Sequence, residues 1–258
     1  MKNTWTKMSI DLANQSNYLD LLFRVYPTIP EECRDIDQEL WKKIKEAFHD
    51  HDNEKLISNL LKLQLFPIKD SYVAYLKRDT GAIKRNPETV NRLAGRIFEM
   101  GLTKLFEKCS EPKETNRQIG PLFKRWIHSG ALGILPIPQE KFLKAKGNAI
   151  FDGSDTEMMN FAKEHLGYNR NKGLDFLGKF NGKYVIGEAK FLTDFGGHQN
   201  AQFEDAMSTL DAECDAIKAA ILDGVLYIPG DHKLYKTAIN KNANIMSALV
   251  FREFLYQV

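Results

Sequence analysis

Cysteine is scarce in this chain. Cys33, Cys109 and Cys214 are the three among 258 residues, an odd number with no CxxC pair. Such a set supplies neither a disulfide framework nor a zinc site, and it fits a reducing cytoplasm. Long apolar runs are also missing. None approaches the roughly 20 residues that span a bilayer, and the opening MKNTWTKMSIDLANQ lacks the apolar stretch of a signal peptide. No internal repeat or low-complexity tract is found, which excludes solenoids and long disordered linkers. Charge of one sign is in short supply too, with a formal net charge of +2.

What is present is ordinary globular material: 43% hydrophobic and 27% charged residues. The length suits one large domain, or a catalytic domain with a smaller helical partner. Charge is unevenly spread. Residues 68–125 hold 13 basic and 7 acidic residues, while the segments on either side each hold two more acids than bases. A basic middle segment can face a polyanion, although a solvated, salt-bridged helical surface accounts for it as well.

The first half reads as helix. Leu40, Trp41, Ile44 and Phe48 fall at helical spacing within residues 37–50, and Leu56, Leu60, Leu61 and Leu63 follow. The stretch 86–109 opens with Asn86 as a cap and Pro87 in the first turn. Residues 116–130 read as a further short helix ending at Gly130. After Gly133 the pattern changes. Residues 153–166 read as a helix capped by Ser154 or Asp155, with Met158, Phe161, Ala162 and Leu166 as its apolar stripe. GLDFLGKF and KYVIGEAKF flank Asn181-Gly182, a strong hairpin signal, so residues 174–180 and 183–191 are expected to be antiparallel strands. Phe195 to Ile221 reads as a glycine hinge and a helix. LDGVLYI and IMSALVF read as two more buried strands. The fold class is therefore mixed α/β, with a core in residues 131–258 and a mainly helical region in 1–130.

Chemistry concentrates on the hairpin. Asp175 lies on one strand and Glu188-Ala189-Lys190 on the next. In a tight hairpin Asp175 approaches Glu188, and Glu188 and Lys190, two residues apart, share a face. Charges among such apolar runs cost several kcal/mol each in desolvation unless they serve a purpose. Two hard oxygen ligands and an ammonium are what Mg²⁺-dependent phosphodiester hydrolysis needs. The Ala189 carbonyl, between the two side chains, is a further ligand candidate. A buried Asp/Glu–Lys ion pair in a non-enzymatic domain is the plainer alternative.

GLDF…GEAK resembles the PD-(D/E)xK nuclease motif, and the helix–hairpin–helix–strand order resembles that superfamily's core. The longer run KGLDFLGKFNGKYVIGEAKFLTDFGGHQNAQF, with PKETNRQIGPLFKRW, GSDTEM and SALVFREFL, is similar to bacterial type II restriction endonucleases. Leu174 stands where the motif's proline is usual, a position that carries no chemistry. The resemblance implies a PD-(D/E)xK restriction-endonuclease-like core with a central mixed sheet flanked by helices. It implies Asp175 and Glu188 as Mg²⁺ ligands and Lys190 as the catalytic lysine. Many relatives add a carboxylate on the helix before the hairpin. Glu157 matches that position best, ahead of Glu99 and Glu114.

The expected activity is site-specific cleavage of double-stranded DNA that leaves 5′-phosphate and 3′-hydroxyl ends. One site per chain and two strands to cut imply a homodimer; the resemblance implies a companion DNA methyltransferase as functional partner, and leaves DNA binding or dimerisation to the helical region 1–130. Thr193, Gly196, Gly197, His198, Gln199, Asn200 and Gln202, after the second strand, are candidate DNA contacts, with Lys172 and Arg117 as flanking cations. Ordinary capping explains the same polar segment equally simply. The alternatives in function are a repair or junction-resolving nuclease on the same core, a non-catalytic DNA-binding protein on a decayed nuclease fold and, more distantly, a small-molecule phosphoesterase.

Overall fold

A computed structural model describes residues 3–28, 33–112 and 118–258. The chain forms two compact units, Met1–Thr28 with Thr115–Val258, and Ile29–Glu114. These limits differ from a boundary at residue 130. Helices α1 (Thr4–Ala13), α2 (Tyr18–Val25) and, later, Ile119–His128 belong with the sheet, because the last two bury Tyr18, Leu22, Val25, Leu122, Phe123 and Ile127 in its core and α1 packs Trp5, Met8 and Ile10 against it.

The unit Ile29–Glu114 contains α3 (Gln38–His49), α4 (Asn53–Leu60), α5 (Val73–Arg78), α6 (Ala82–Arg85), α7 (Pro87–Met100) and α8 (Leu102–Ser110). Asp37 and Asp52 accept backbone N–H groups at the starts of α3 and α4, satisfying donors that a helix start leaves open. Trp41, Ile44, Leu56, Ile57, Leu60, Val90, Leu93 and Ile97 make one apolar cluster. Two expectations change here. Asn86 stands at the start of α7, but its side chain donates to the Ala82 carbonyl at 2.7 Å and closes α6 instead. The helix expected over 86–109 is two helices, because Gly101 at φ +76° breaks it. The unit holds 16 basic and 16 acidic residues. It therefore has no net positive field, and the basic excess of residues 68–125 does not make it an electropositive body.

The other unit continues with α9 (Ile119–His128), β1 (Pro136–Ile137), α10 (Gln139–Lys144), β2 (Ala149–Phe151), α11 (Asp155–Leu166), β3 (Phe176–Phe180), β4 (Lys183–Leu192), α12 (Gly197–Leu210), β5 (Ile217–Gly224), α13 (Lys233–Asn240), β6 (Asn244–Met246) and α14 (Ala248–Gln257). Among the described residues the strands form one mixed sheet in the order β1-β2-β3-β4-β5-β6. β3 is antiparallel to β2 and β4, while β4, β5 and β6 run parallel. Asn181 and Gly182 both take positive φ, 48° and 80°, as a two-residue hairpin turn of that type requires. On one sheet face Phe142, Phe151, Phe161, Leu177 and Ile186 pack together. Phe176, Phe180, Val185, Phe251 and Phe254 belong to the larger cluster.

The C-terminal third departs from its sequence pattern. α12 stops at Leu210 instead of running to Ile221, and IKAAILDG forms β5. Its alanines favour helix intrinsically, but between β4 and β6 the segment is held by ladder hydrogen bonds and near-complete burial. Residues 225–227 turn away as a short 3-10 helix. IMSALVF is strand only to Met246. There Ser247 accepts the Leu249 N–H and starts α14.

Asp223, near the end of β5, is fully buried. Tyr26 Oη donates to it at 2.9 Å, the Ala248 N–H at 3.1 Å, and the Ser247 hydroxyl donates as well. It thereby fastens α2 and α14 to the sheet. Burial pushes its carboxyl up to about 6 from an ordinary 3.8, against the pull of those donors. The folded value is raised, so this group's contribution to stability is full below about pH 4 and is lost as pH rises through about 6. Tyr26→Phe removes a donor that matters most to the charged form. It should destabilise the fold by about 1–3 kcal/mol at pH 7.5 and by clearly less at pH 5. Urea unfolding at the two pH values checks this, and equal losses would contradict it.

Candidate active site

The β3–β4 hairpin places its charges by register. Phe176 lies opposite Gly187, so the next pair outward is Asp175 and Glu188. Asp175 is bound to the hairpin at both ends. Its N–H donates to the Gly187 carbonyl at 3.1 Å, and its Oδ2 accepts the Ala189 N–H at 2.9 Å. Alternation along β4 turns Glu188 and Lys190 to the same face. Lys190 Nζ pairs with Glu188 Oε1 and lies 3.9 Å from Asp175 Oδ2. The three residues that the sequence singled out are therefore assembled at one end of one sheet face.

Burial sets the electrostatics. The Glu188 side chain is 3% exposed and that of Asp175 17%. Burial, reinforced by the negative charge of Asp175, pushes the Glu188 carboxyl up to about 7, while Lys190 and Lys172 pull it down. Burial also raises Asp175, opposed by Lys190 and by the Ala189 N–H, with Asp155 adding to the rise. Burial alone would lower the Lys190 ammonium, but the carboxylates of Glu188 and Asp175 outweigh it and hold it above its usual value.

Two further residues complete the cluster. Lys172 Nζ lies 3.1 Å from Glu188 Oε1 and 2.8 Å from Asp205 Oδ1. Asp205, on α12, also approaches Lys190 at 3.6 Å. Lys172, expected as a flanking DNA contact, is thus an inner member of the carboxylate cluster. Asp205 was not foreseen. It lies one position before the buried Ala206, and only the packing of α12 onto the sheet brings it over the strand ends.

Glu188 Oε2 is buried with no hydrogen-bond partner among the described residues. A bare carboxylate oxygen in such a place is costly and is the observation that fits a hard cation. Among the described residues no cluster of three or more His, Cys, Asp or Glu side chains forms a ready metal cage. Magnesium does not require one, since it is commonly held by one or two carboxylates with waters and a substrate phosphate. Asp175 and Glu188 suit that role, and the Ala189 N–H serves to fix Asp175.

Glu157 sits in the first turn of α11. It closes a capping box, its Oε2 accepting the Ser154 N–H at 2.6 Å while Ser154 Oγ accepts the Glu157 N–H at 3.2 Å. This hydrogen bond holds its carboxyl below the usual range. Asp155, two residues earlier, is the acid of this helix whose charge bears on Asp175. It pairs with Lys124 of α9 at 2.6 Å. Lys124, His128, Gly153, Met158 and Asp175 line one narrow pocket. Asp155 had a sequence signal, as a capping alternative in GSDTEM, whereas Lys124 had none. Glu99 is exposed on α7, in the other compact unit. Glu114 and Arg117 lie outside the described residues.

The segment after β4 divides by exposure. Thr193, Gly196, Gly197 and His198 are exposed, and Asn200 and Gln202 are half-buried. Gln199 is 6% exposed. Its amide accepts the Thr193 N–H at 3.2 Å and donates to Thr193 Oγ1 at 3.1 Å. Gln199 therefore braces the loop onto α12. The Gln202 amide contacts the His198 ring at 3.3 Å.

These charges predict a titration. In the metal-free protein Glu188 should protonate with a midpoint near 7, followed by carboxyl-carbon NMR. The folded value is raised, so the metal-free fold loses stability as pH rises from the unfolded value towards 7. Asp175→Asn removes a like charge and should lower the midpoint, and Lys190→Met should raise it. A midpoint unmoved by Asp175→Asn would contradict the coupling.

Comparison with curated proteins gave no match, and neither did comparison with solved structures. A family model does match, over residues 3–258, nearly the whole chain with the hairpin cluster inside it. On that match the chain belongs to the Tsp45I type II restriction enzyme family.

Proposed function

We propose that the protein is a site-specific deoxyribonuclease that hydrolyses both strands of double-stranded DNA with Mg²⁺, leaving 5′-phosphate and 3′-hydroxyl ends. One observation carries the reading beyond the family: the buried, unpartnered Oε2 of Glu188 beside Asp175. Asp175 and Glu188 would hold the ion, with the Ala189 carbonyl as a third oxygen. Magnesium there supplies Lewis acidity towards a phosphate oxygen and a water. The protein's own part is positional. The Ala189 N–H fixes the Asp175 carboxylate, and the sheet fixes Glu188. Lys190 presents an ammonium that orients the attacking water or neutralises charge developing on the phosphate.

Of the acids on α11, Asp155 is better placed than Glu157 to supply a further carboxylate, because Glu157 is engaged by Ser154. The first turn of α12, which begins at Gly197, offers N–H groups to phosphate, and His198, Asn200 and Gln202 offer polar side chains to a groove. Two strands to cut with one site per chain favour a homodimer. The helical unit would serve DNA binding or dimerisation, and a separate methyltransferase would protect host DNA in the cytoplasm. Among the described residues no helix is long and apolar enough to cross a membrane.

Incubation with phage DNA and Mg²⁺ tests the whole reading. Discrete fragments are expected. A smear or junction-only cutting would indicate a different nuclease, and tight binding without cutting a binding protein. Asp175→Ala, Glu188→Ala and Lys190→Ala should each lose at least about 100-fold in cleavage rate with unchanged circular dichroism. Ca²⁺ should support binding without efficient cleavage. Near-normal turnover by Glu188→Ala would overturn the assignment. Asp155→Asn should slow cleavage more than Glu157→Gln at saturating DNA.

Recognition has its own test. If Asn200 or Gln202 reads a base edge, alanine there should cost about 1–3 kcal/mol on the cognate duplex and little on a random one. Equal losses on both would make the segment a phosphate clamp.

A further inference from the structure

Glu188 Oε1 serves two ammonium groups, those of Lys190 and Lys172, while Oε2 has no hydrogen-bond partner among the described residues. A divalent cation on this carboxylate would stand beside both ammoniums in a poorly hydrated site, where like charges repel strongly. Something must hold the ammoniums when the cation enters. Lys172 already has the means. Its Nζ carries three hydrogens and has four acceptors in reach: Glu188 Oε1 at 3.1 Å, Asp205 Oδ1 at 2.8 Å, the Asp205 carbonyl at 2.8 Å and Thr209 Oγ1 at 3.4 Å. Three of these four belong to α12. Releasing Glu188 therefore leaves every hydrogen of Lys172 with an acceptor. The second oxygen of Asp205 lies 3.6 Å from Lys190 Nζ, so one carboxylate bears on both lysines.

We propose that Asp205 is a positioning residue of this site: it takes up the ammoniums of Lys172 and Lys190 when a divalent cation occupies Glu188. The inference rests on the metal reading of Asp175 and Glu188 given above. Charge balance points the same way. With Asp175, Glu188 and Asp205 ionised and both lysines protonated, the cluster carries one net negative charge. A dication makes it singly positive, and a phosphodiester then brings it to neutrality. Without Asp205 the empty cluster is neutral and attracts a dication poorly.

Opposite signs separate this role from simple bracing. Asp205→Asn should weaken cation binding about tenfold, and Lys172→Met, which removes a competitor, should tighten it about threefold, as expected for one charge a few ångströms away. The double variant should return towards the wild type. The probe is Mn²⁺ added to the full chain without DNA, with free ion counted by electron paramagnetic resonance. The Mg²⁺ concentration that half-saturates cleavage is the second readout. It should rise for Asp205→Asn with the rate at saturating Mg²⁺ less affected. A control, Glu188→Gln, should abolish the Mn²⁺ site. Binding that survives in Glu188→Gln, or is missing from the wild type, would overturn the metal reading. If Glu188→Gln loses the ion but Asp205→Asn matches the wild type, the inference about Asp205 alone falls. It falls too if Asp205→Asn and Lys172→Met weaken binding alike, which is the pattern of a structural ion pair.

Discussion

The pairing register of β3 with β4 is the constraint on which the site depends. The Asn181-Gly182 turn sets it, and both residues take the positive φ that the turn demands. From that turn outward each pair is fixed, and Asp175 arrives across from Glu188. A slip of one residue would send Asp175 to the opposite face. Asn181 also anchors the turn from outside, donating to the carbonyls of Tyr256 at 3.1 Å and Val258 at 3.0 Å. The C-terminal helix thus helps hold a register whose effect is felt at the far end of the hairpin.

Two buried acids show how the same cost is handled in different ways. Asp223 is surrounded by donors, with Tyr26, Ser247 and the Ala248 N–H together serving both its oxygens. It is a tie between elements, on the sheet face opposite Glu188 according to the β4–β5 register. Glu188 is nearly as deeply buried, yet one of its oxygens is bare and the other is crowded by two ammoniums. Satisfied burial of a carboxylate fastens a fold. Unsatisfied burial stores a cost that a ligand can relieve. The contrast distinguishes these two acids more clearly than their raised pKa values, which burial dominates in both.

Fold and site were legible where the determinants are local. Asn-Gly between apolar runs gave the hairpin, and Ser154 with Glu157 gave the start of α11. The same reasoning failed at IKAAILDG, where alanines that favour helix are overridden by ladder pairing on both sides. It failed again at Ser247, where an apolar run hides a helix cap. The boundary at residue 130 misled because α1, α2 and α9 look like any amphipathic helices, and nothing local reveals which core they join.

The sequence by itself determined the Asp175, Glu188 and Lys190 cluster, because strand alternation and a two-residue turn fix relative positions over 16 consecutive residues. The tertiary structure alone decided the rest of the electrostatics. Lys172, Asp205, Asp155 and Lys124 come from a loop, α12, α11 and α9, and which of them meet is settled by how those helices pack on the sheet. Side chains distant in sequence meet only when burying apolar area sets the angle and height of each helix. That sum over the whole core cannot be read from any one segment.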